Sequence, residues 1–177
     1  MHRIRILSLT IVIVAVVAGL AVPAVLAKGN PHFLDNTLGF RGGSPLTGKG
    51  CMAGLASEEF LVVLRGTGSA DATCVNPGGS KQVPGRNPVT VTVEGEDIVT
   101  TDRTGSASFS LEVPDPFTAD VPPSPSPSPS PKEAGCPNGS WTVVLDPETW
   151  TWTKGCLFLY DVTGTRLFDQ ACSSGPF

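Results

Sequence analysis

The chain of 177 residues is 40% hydrophobic, 16% charged and 7% aromatic, with 20 glycines, 17 prolines and a formal net charge of −4. Glycine and proline make up roughly 21% of it against an average near 12%. They interrupt every window of 3.6 periodicity and so exclude a helical bundle. Two histidines, His2 and His32, and five cysteines leave most catalytic and metal-binding constellations short of members.

Residues 1–27 read as an export signal. Arg3 and Arg5 open it, an apolar run covers Ile11 to Val22, Pro23 breaks the run, and Val25-Leu26-Ala27 places small residues ahead of a cleavage point between Ala27 and Lys28. Apolar character extends from Ile6 to Ala27, long enough to cross a bilayer, so an uncleaved anchor is the structural alternative. Cleavage removes two arginines and leaves a mature chain of net charge −6. With no run of Lys or Arg, that chain is expected to bind no nucleic acid and, once the signal is gone, no membrane.

Residues 28–45 show no sustained period and are expected to form an irregular arm. From Phe60 to Cys74 the even positions are apolar or small and the polar residues fall on the odd ones, the pattern of one long strand bent at Gly66 or Gly68. Val89, Val91 and Val93 alternate with polar residues, as do Ala107, Phe109, Leu111 and Val113. Glu94-Gly95-Glu96-Asp97 reads as a solvated hairpin turn. Val121 to Lys132, a Pro-Ser repeat preceded by the turn-rich Pro114-Asp115-Pro116, is expected to be extended polyproline, either a long loop within one domain or, as the alternative, a linker between two. Trp141, Val143 and Leu145 give a further strand. Cys156 to Val162 and Arg166 to Cys172 flank Thr163-Gly164-Thr165 as a hairpin.

Turn signals such as Asn76-Pro77-Gly78-Gly79 and Asp102-Arg103-Thr104-Gly105 separate these strands. The fold expected is therefore all-β: an antiparallel β-sandwich, immunoglobulin-like, disulfide-stapled, spanning residues 46–177 as one domain and interrupted by the Pro/Ser-rich loop at 114–132. Only 45 residues follow that loop, too few to fold readily without staples or partners.

All five cysteines lie beyond the cleavage point, where the surroundings are oxidising, and disulfides are the default reading. Neither Cys-x-x-Cys nor histidine partners occur, so a zinc site is disfavoured. Symmetry about Gly164 sets Cys156 opposite Cys172, close enough for a cross-strand bond. Cys74 and Cys136 are then the natural second pair and Cys51 is odd, one set among several that five cysteines allow.

Cys74-Val-Asn-Pro-Gly-Gly, Pro84-Gly-Arg-Asn-Pro88 and Cys136-Pro-Asn-Gly-Ser-Trp141 together resemble a group of small secreted bacterial β-rich proteins of unknown function. The likeness covers about residues 46–145. It implies export and a Cys74–Cys136 link, and it carries over no site.

His32 is the one histidine of the mature chain, and no serine stands in a Gly-x-Ser-x-Gly elbow, so a Ser-His-acid triad is disfavoured; His32 is expected to be exposed. Cys51 lacks a second histidine to activate it. Glu94, Glu96, Asp97, Asp146 and Glu148 are the carboxylates open to glycoside hydrolysis. The same acidic turn, or Asp161 with Asp169, lacks the ligand order of a calcium loop, and no metal and no cofactor are expected. Trp150 and Trp152, two apart on a strand, are the candidate ligand-binding residues, set against their use as core. Asn138-Gly-Ser140 fits a glycosylation acceptor. The function expected is that of a secreted, non-catalytic binding or structural module, not an enzyme, whose partner is an extracellular molecule or a component of the cell envelope. The alternatives are a carbohydrate-binding module using Trp150 and Trp152 and, more remotely, a carboxylate-based hydrolase.

Overall fold

A computed structural model describes residues 29–54, 58–117 and 129–177. The export signal and most of the Pro-Ser repeat lie outside the described residues. Eleven strands follow in chain order: β1 (His32–Phe33), β2 (Gly39–Arg41), β3 (Leu46–Ala53), β4 (Glu59–Ala70), β5 (Ala72–Val75), β6 (Gln82–Pro84), β7 (Val89–Thr100), β8 (Ala107–Val113), β9 (Thr142–Leu145), β10 (Thr151–Asp161) and β11 (Leu167–Ser174). Two 3₁₀ turns, Asp35–Thr37 and Pro147–Thr149, are the only helical pieces among the described residues.

Among the described residues all pairings are antiparallel, in three sheets. One runs β11-β10-β4-β7, a second has β1 and β2 along one edge of β3 with β8 on the other, and a small third runs β6-β5-β9. The first two sheets face one another as a sandwich. Leu46, Met52, Val62, Leu64, Val113, Leu157 and Leu159 fill the space between them and are fully buried, each contributing roughly 2 kcal/mol by leaving water. Gly48 of β3 lies so close to Leu64 and Leu157 that a methyl group there would meet both. Fold class and antiparallel sheets are thus those read from the alternating sequence.

Several local readings change. The arm is not irregular throughout: β1 and β2 pair with β3, and Phe33, 3% exposed, packs against Phe109 with ring centroids 5.5 Å apart. The long strand from Phe60 runs through its glycines as one strand to Ala70. It breaks at Asp71, whose backbone donates to the Thr149 hydroxyl (2.8 Å) and accepts from the Asp146 N–H (2.8 Å), and the chain passes from the large sheet into the small one. Alternation survives because the phase of burial does not change across the break. Glu94-Gly95-Glu96-Asp97 is no turn but the middle of β7, every residue paired with β4. The turn into β8 is made instead at Asp102, whose carboxylate accepts from the backbone N–H groups of Thr104 and Ser106.

Trp141 precedes β9 rather than joining it. At the end of the Pro-Ser segment, residues 131–135 form a turn rather than an extended chain: Cys136 N–H donates to the Pro131 carbonyl, and Ala134, fully buried, accepts from the Arg86 N–H.

Disulfides join Cys74 to Cys136 and Cys156 to Cys172, and Cys51 is free. Cys156 and Cys172 are directly opposed in the β10–β11 ladder. Gly164, with φ +70°, makes the turn of that hairpin in a conformation that favours glycine. The Asp161 carboxylate closes it by accepting from the backbone N–H groups of Thr165 and Arg166. Those bonds, the Arg166 N–H first, lower its pKa to about 2.

Candidate functional site

The first candidate is the cleft beside the two tryptophans. Asp146 caps the turn Pro147–Thr149, its side chain accepting from the Glu148 N–H at 3.0 Å, and the turn delivers Trp150 to the start of β10. Across the ladder, β4 offers glycine where the indoles lie. A Cβ on Gly66 would fall 2.6 Å from Trp152 Cζ3, and one on Gly68 would run into the Trp150 ring. Two glycines at alternate positions of β4 are therefore the seats of two indoles, Trp152 in β10 and Trp150 just before it.

This geometry separates the two tryptophans, which the sequence offered as ligand-binding candidates or as core. Trp152 is 2% exposed and donates its Nε1–H to the Gly43 carbonyl at 2.6 Å, so it belongs to the core. The two rings meet edge to face, centroids 5.0 Å apart at 80°, and share no plane on which a sugar could lie. Trp150 alone is half-buried, with Phe117 set edge-on to it at 5.7 Å. Its Nε1–H is buried and has no hydrogen-bond partner.

The cleft has a volume of 350 Å³ and is walled by Phe117, Trp150, Trp152 and Phe177, with Ser44 and Asp115 at its polar side. Ser44 donates its hydroxyl to the Asp115 carboxylate, which also accepts from the Phe117 N–H at 3.0 Å. The arrangement suits a small ligand with one apolar face and a hydroxyl-bearing rim. Sequence reading found Trp150 but missed Phe117, Phe177, Ser44 and Asp115. They come from three separate stretches of chain, and nothing in their local spacing marks them.

The other candidates hold structural positions. Glu94 forms an ion pair with Arg65 on the neighbouring strand. Asp146 is the cap already described. Glu96 and Asp97 border an open depression with Leu61, Ile98, Val162 and Thr163, while Glu148 is exposed. Asp169 accepts from the Phe33 N–H at 2.7 Å, and Asp161 closes its hairpin. No group of three His, Cys, Asp or Glu stands ready to hold a metal among the described residues. His32, exposed, has its Nδ1 2.8 Å from the Asn30 carbonyl oxygen. Cys51 is half-buried in the interior of β3, its N–H donated to the Thr37 hydroxyl. Asn138 is exposed, and its side-chain oxygen accepts both the N–H and the hydroxyl of Ser140. No helix among the described residues is long and apolar enough to cross a membrane.

No family model matches the chain, and no curated protein matches it significantly. Solved structures that overlap it include a β-glucuronidase of Bacteroides uniformis and a calcium-binding mutant of that organism's β-glucuronidase 2, each with a TM-score of 0.35 and 17% identity over 84% of this chain. The β-glucuronidase 2 covalently bound to cyclophellitol-6-carboxylate aziridine gives 0.34 and 16%. The chain spans 14% of the length of those enzymes. Overlap at that level carries no argument about this protein.

Proposed function

We propose that the protein works outside the cytoplasm as a non-catalytic binding or structural module. Its two disulfides carry the reading. One ties the large hairpin across its strands and the other ties β5 to the segment after the Pro-Ser repeat, and such bonds persist where the surroundings oxidise. The carboxylates open to hydrolysis are engaged in an ion pair and a turn cap or stand at the open surface, which favours binding over chemistry. The test is fractionation of the native host, followed by mass measurement under non-reducing conditions. The expected product starts at Lys28, lies outside the cytoplasm and carries two disulfides; a cytoplasmic protein with five free thiols would overturn the proposal.

A second reading takes a carbohydrate as the ligand of the Trp150 cleft, because an aromatic wall and a carboxylate–hydroxyl pair there converge on one small volume. It replaces the two-tryptophan platform with one indole. Trp150→Phe, which keeps an aromatic ring over Gly68, is expected to weaken binding on a glycan array, whereas Trp141→Phe leaves it unchanged. An array on which the unaltered protein captures no glycan would end this reading.

A further inference from the structure

The outer face of the sheet β11-β10-β4-β7, turned away from the sandwich core, carries a continuous apolar row. Leu167 pairs with Tyr160, Tyr160 with Leu61 and Leu61 with Ile98, so the row crosses all four strands. Directly opposed residues of an antiparallel sheet project from the same face. The next row on that face runs Gln170, Phe158, Val63, Glu96, and the one beyond it Cys172, Cys156, Arg65, Glu94. Phe158 and Tyr160 stack at 6.2 Å, and the Arg65 guanidinium lies 4.8 Å from the centre of the Phe158 ring. Ile98 is 53% exposed, Leu167 45%, and Val162, just past the end of β10, 45%. Among the described residues, three of the four large apolar side chains most open to solvent thus border one surface. A patch of this kind marks an interaction site.

We infer that this face binds a second copy of the chain. A two-fold axis running along the strands, midway between β10 and β4, lays the face on itself. Leu167 then meets Ile98 of the other copy, Tyr160 meets Leu61, and Phe158 comes over Val63, which is already buried in its own copy at 8% exposure. The operation sets no charge directly against a like one: the cations of the central strands, Arg65 and Lys154, fall opposite Cys156 and Thr67 of the other copy. The carboxylates of β7 on this face, Glu94 and Glu96, fall opposite the outward residues of β11, which are Leu167, Gln170, Cys172 and Ser174 and carry no charge. Glu96 is brought to Gln170, an amide able to donate to it. The arrangement is isologous, so it closes at a dimer, and it is the aligned face-to-face packing that sheets adopt within sandwiches. Arg65 covering Phe158 argues against a flat sugar platform here, because the ring face that would stack is occupied.

Four strands about 4.8 Å apart and four rows about 6.8 Å apart give a footprint of roughly 500 Å² per copy, against roughly 800 Å² per partner for a stable standard interface. An interface of that area is of the weak, reversible class.

The experiment is sedimentation velocity on the purified, oxidised chain over a range of concentrations. The unaltered protein is expected to pass from monomer to dimer. Ile98→Lys, at an exposed position that folding does not depend on, shifts the midpoint at least about tenfold, while Val144→Lys, equally exposed but on the small sheet, does not. A second measurement fixes the geometry. In a Cys51→Ser background, Ile98→Cys mixed with Leu167→Cys forms the mixed crosslink in preference to either self-crosslink. A chain that stays monomeric at the highest soluble concentration, loss of association in Val144→Lys, or self-crosslinks in excess would each overturn the proposal. Capture of an apolar partner by a strictly monomeric chain would overturn it in favour of a different occupant.

Discussion

Along β4, Val62 and Leu64 point between the sheets and are fully buried, whereas Leu61 and Arg65 point the other way and remain half-exposed. The same ladder of backbone hydrogen bonds holds both sets. What differs is the kind of neighbour each side chain has. Inward residues meet a second sheet, so their volume and shape are fixed by side chains far away in sequence, such as Leu46 and Met52. Outward residues meet only the strands beside them, in lateral pairs: Arg65 with Glu94, Phe158 with Tyr160, Cys156 with Cys172. Interior substitutions should therefore be costly and sensitive to volume, and outward ones mild, save where a covalent bond is lost.

Trp152→Ala probes the inner side hardest. It empties a fully buried indole site and leaves the Gly43 carbonyl without its donor, and is expected to cost about 3–5 kcal/mol in urea unfolding monitored by circular dichroism. Replacing Cys156 and Cys172 together by alanine removes the outer staple; a loop of 16 residues sets that loss at about 3 kcal/mol. A loss well above that for Trp152→Ala would mean that the outer face bears more of the fold than its exposure indicates. Gly66→Ala forces a methyl group against Trp152 and Leu46 and should cost about 1–3 kcal/mol, read as a lowered melting temperature. Ile98→Thr, on the outward side, should fall within about 0.5 kcal/mol of the unaltered protein at a concentration where it is monomeric.

A gentler probe is pH. Asp161 has a folded pKa of about 2, below its ordinary 3.8, so the stability it contributes is present above that ordinary value and is lost as pH falls from about 4 through about 2. Asp161→Asn should flatten the dependence of melting temperature on pH in that window and leave its shape above pH 5 unchanged.

The strands were legible because alternation survives even where chain direction or sheet changes. Val89, Val91 and Val93, and Phe109, Leu111 and Val113, announce their buried side by period alone. The sheet change at Asp71 was not legible, since it depends on a hydroxyl and an N–H contributed by residues 146–149. Glu94 to Asp97 misled because acidic residues with a glycine resemble a turn, yet on an edge strand the same residues simply face water. The outer apolar face left a trace that alternation obscured. Leu61-Val-Val-Leu64 and Leu157-Phe-Leu-Tyr160 are apolar at consecutive positions, which in a strand means that both sides are apolar. Trp150 and Trp152 were legible as a pair, but their seats on Gly68 and Gly66 were not, because those glycines first read as bends.

The placement of β10 has one further consequence. This strand, which follows the Pro-Ser segment in sequence, lies between β4 and β11, with almost its whole length paired to a strand that precedes that segment. Cys136, also after the segment, is bonded to Cys74 before it. A protease that cuts between residues 118 and 128 would thus yield two polypeptides that remain one particle, migrating together until a reductant and a denaturant are both applied. The two stretches are complementing fragments: made separately, each supplies strands that only the other can complete.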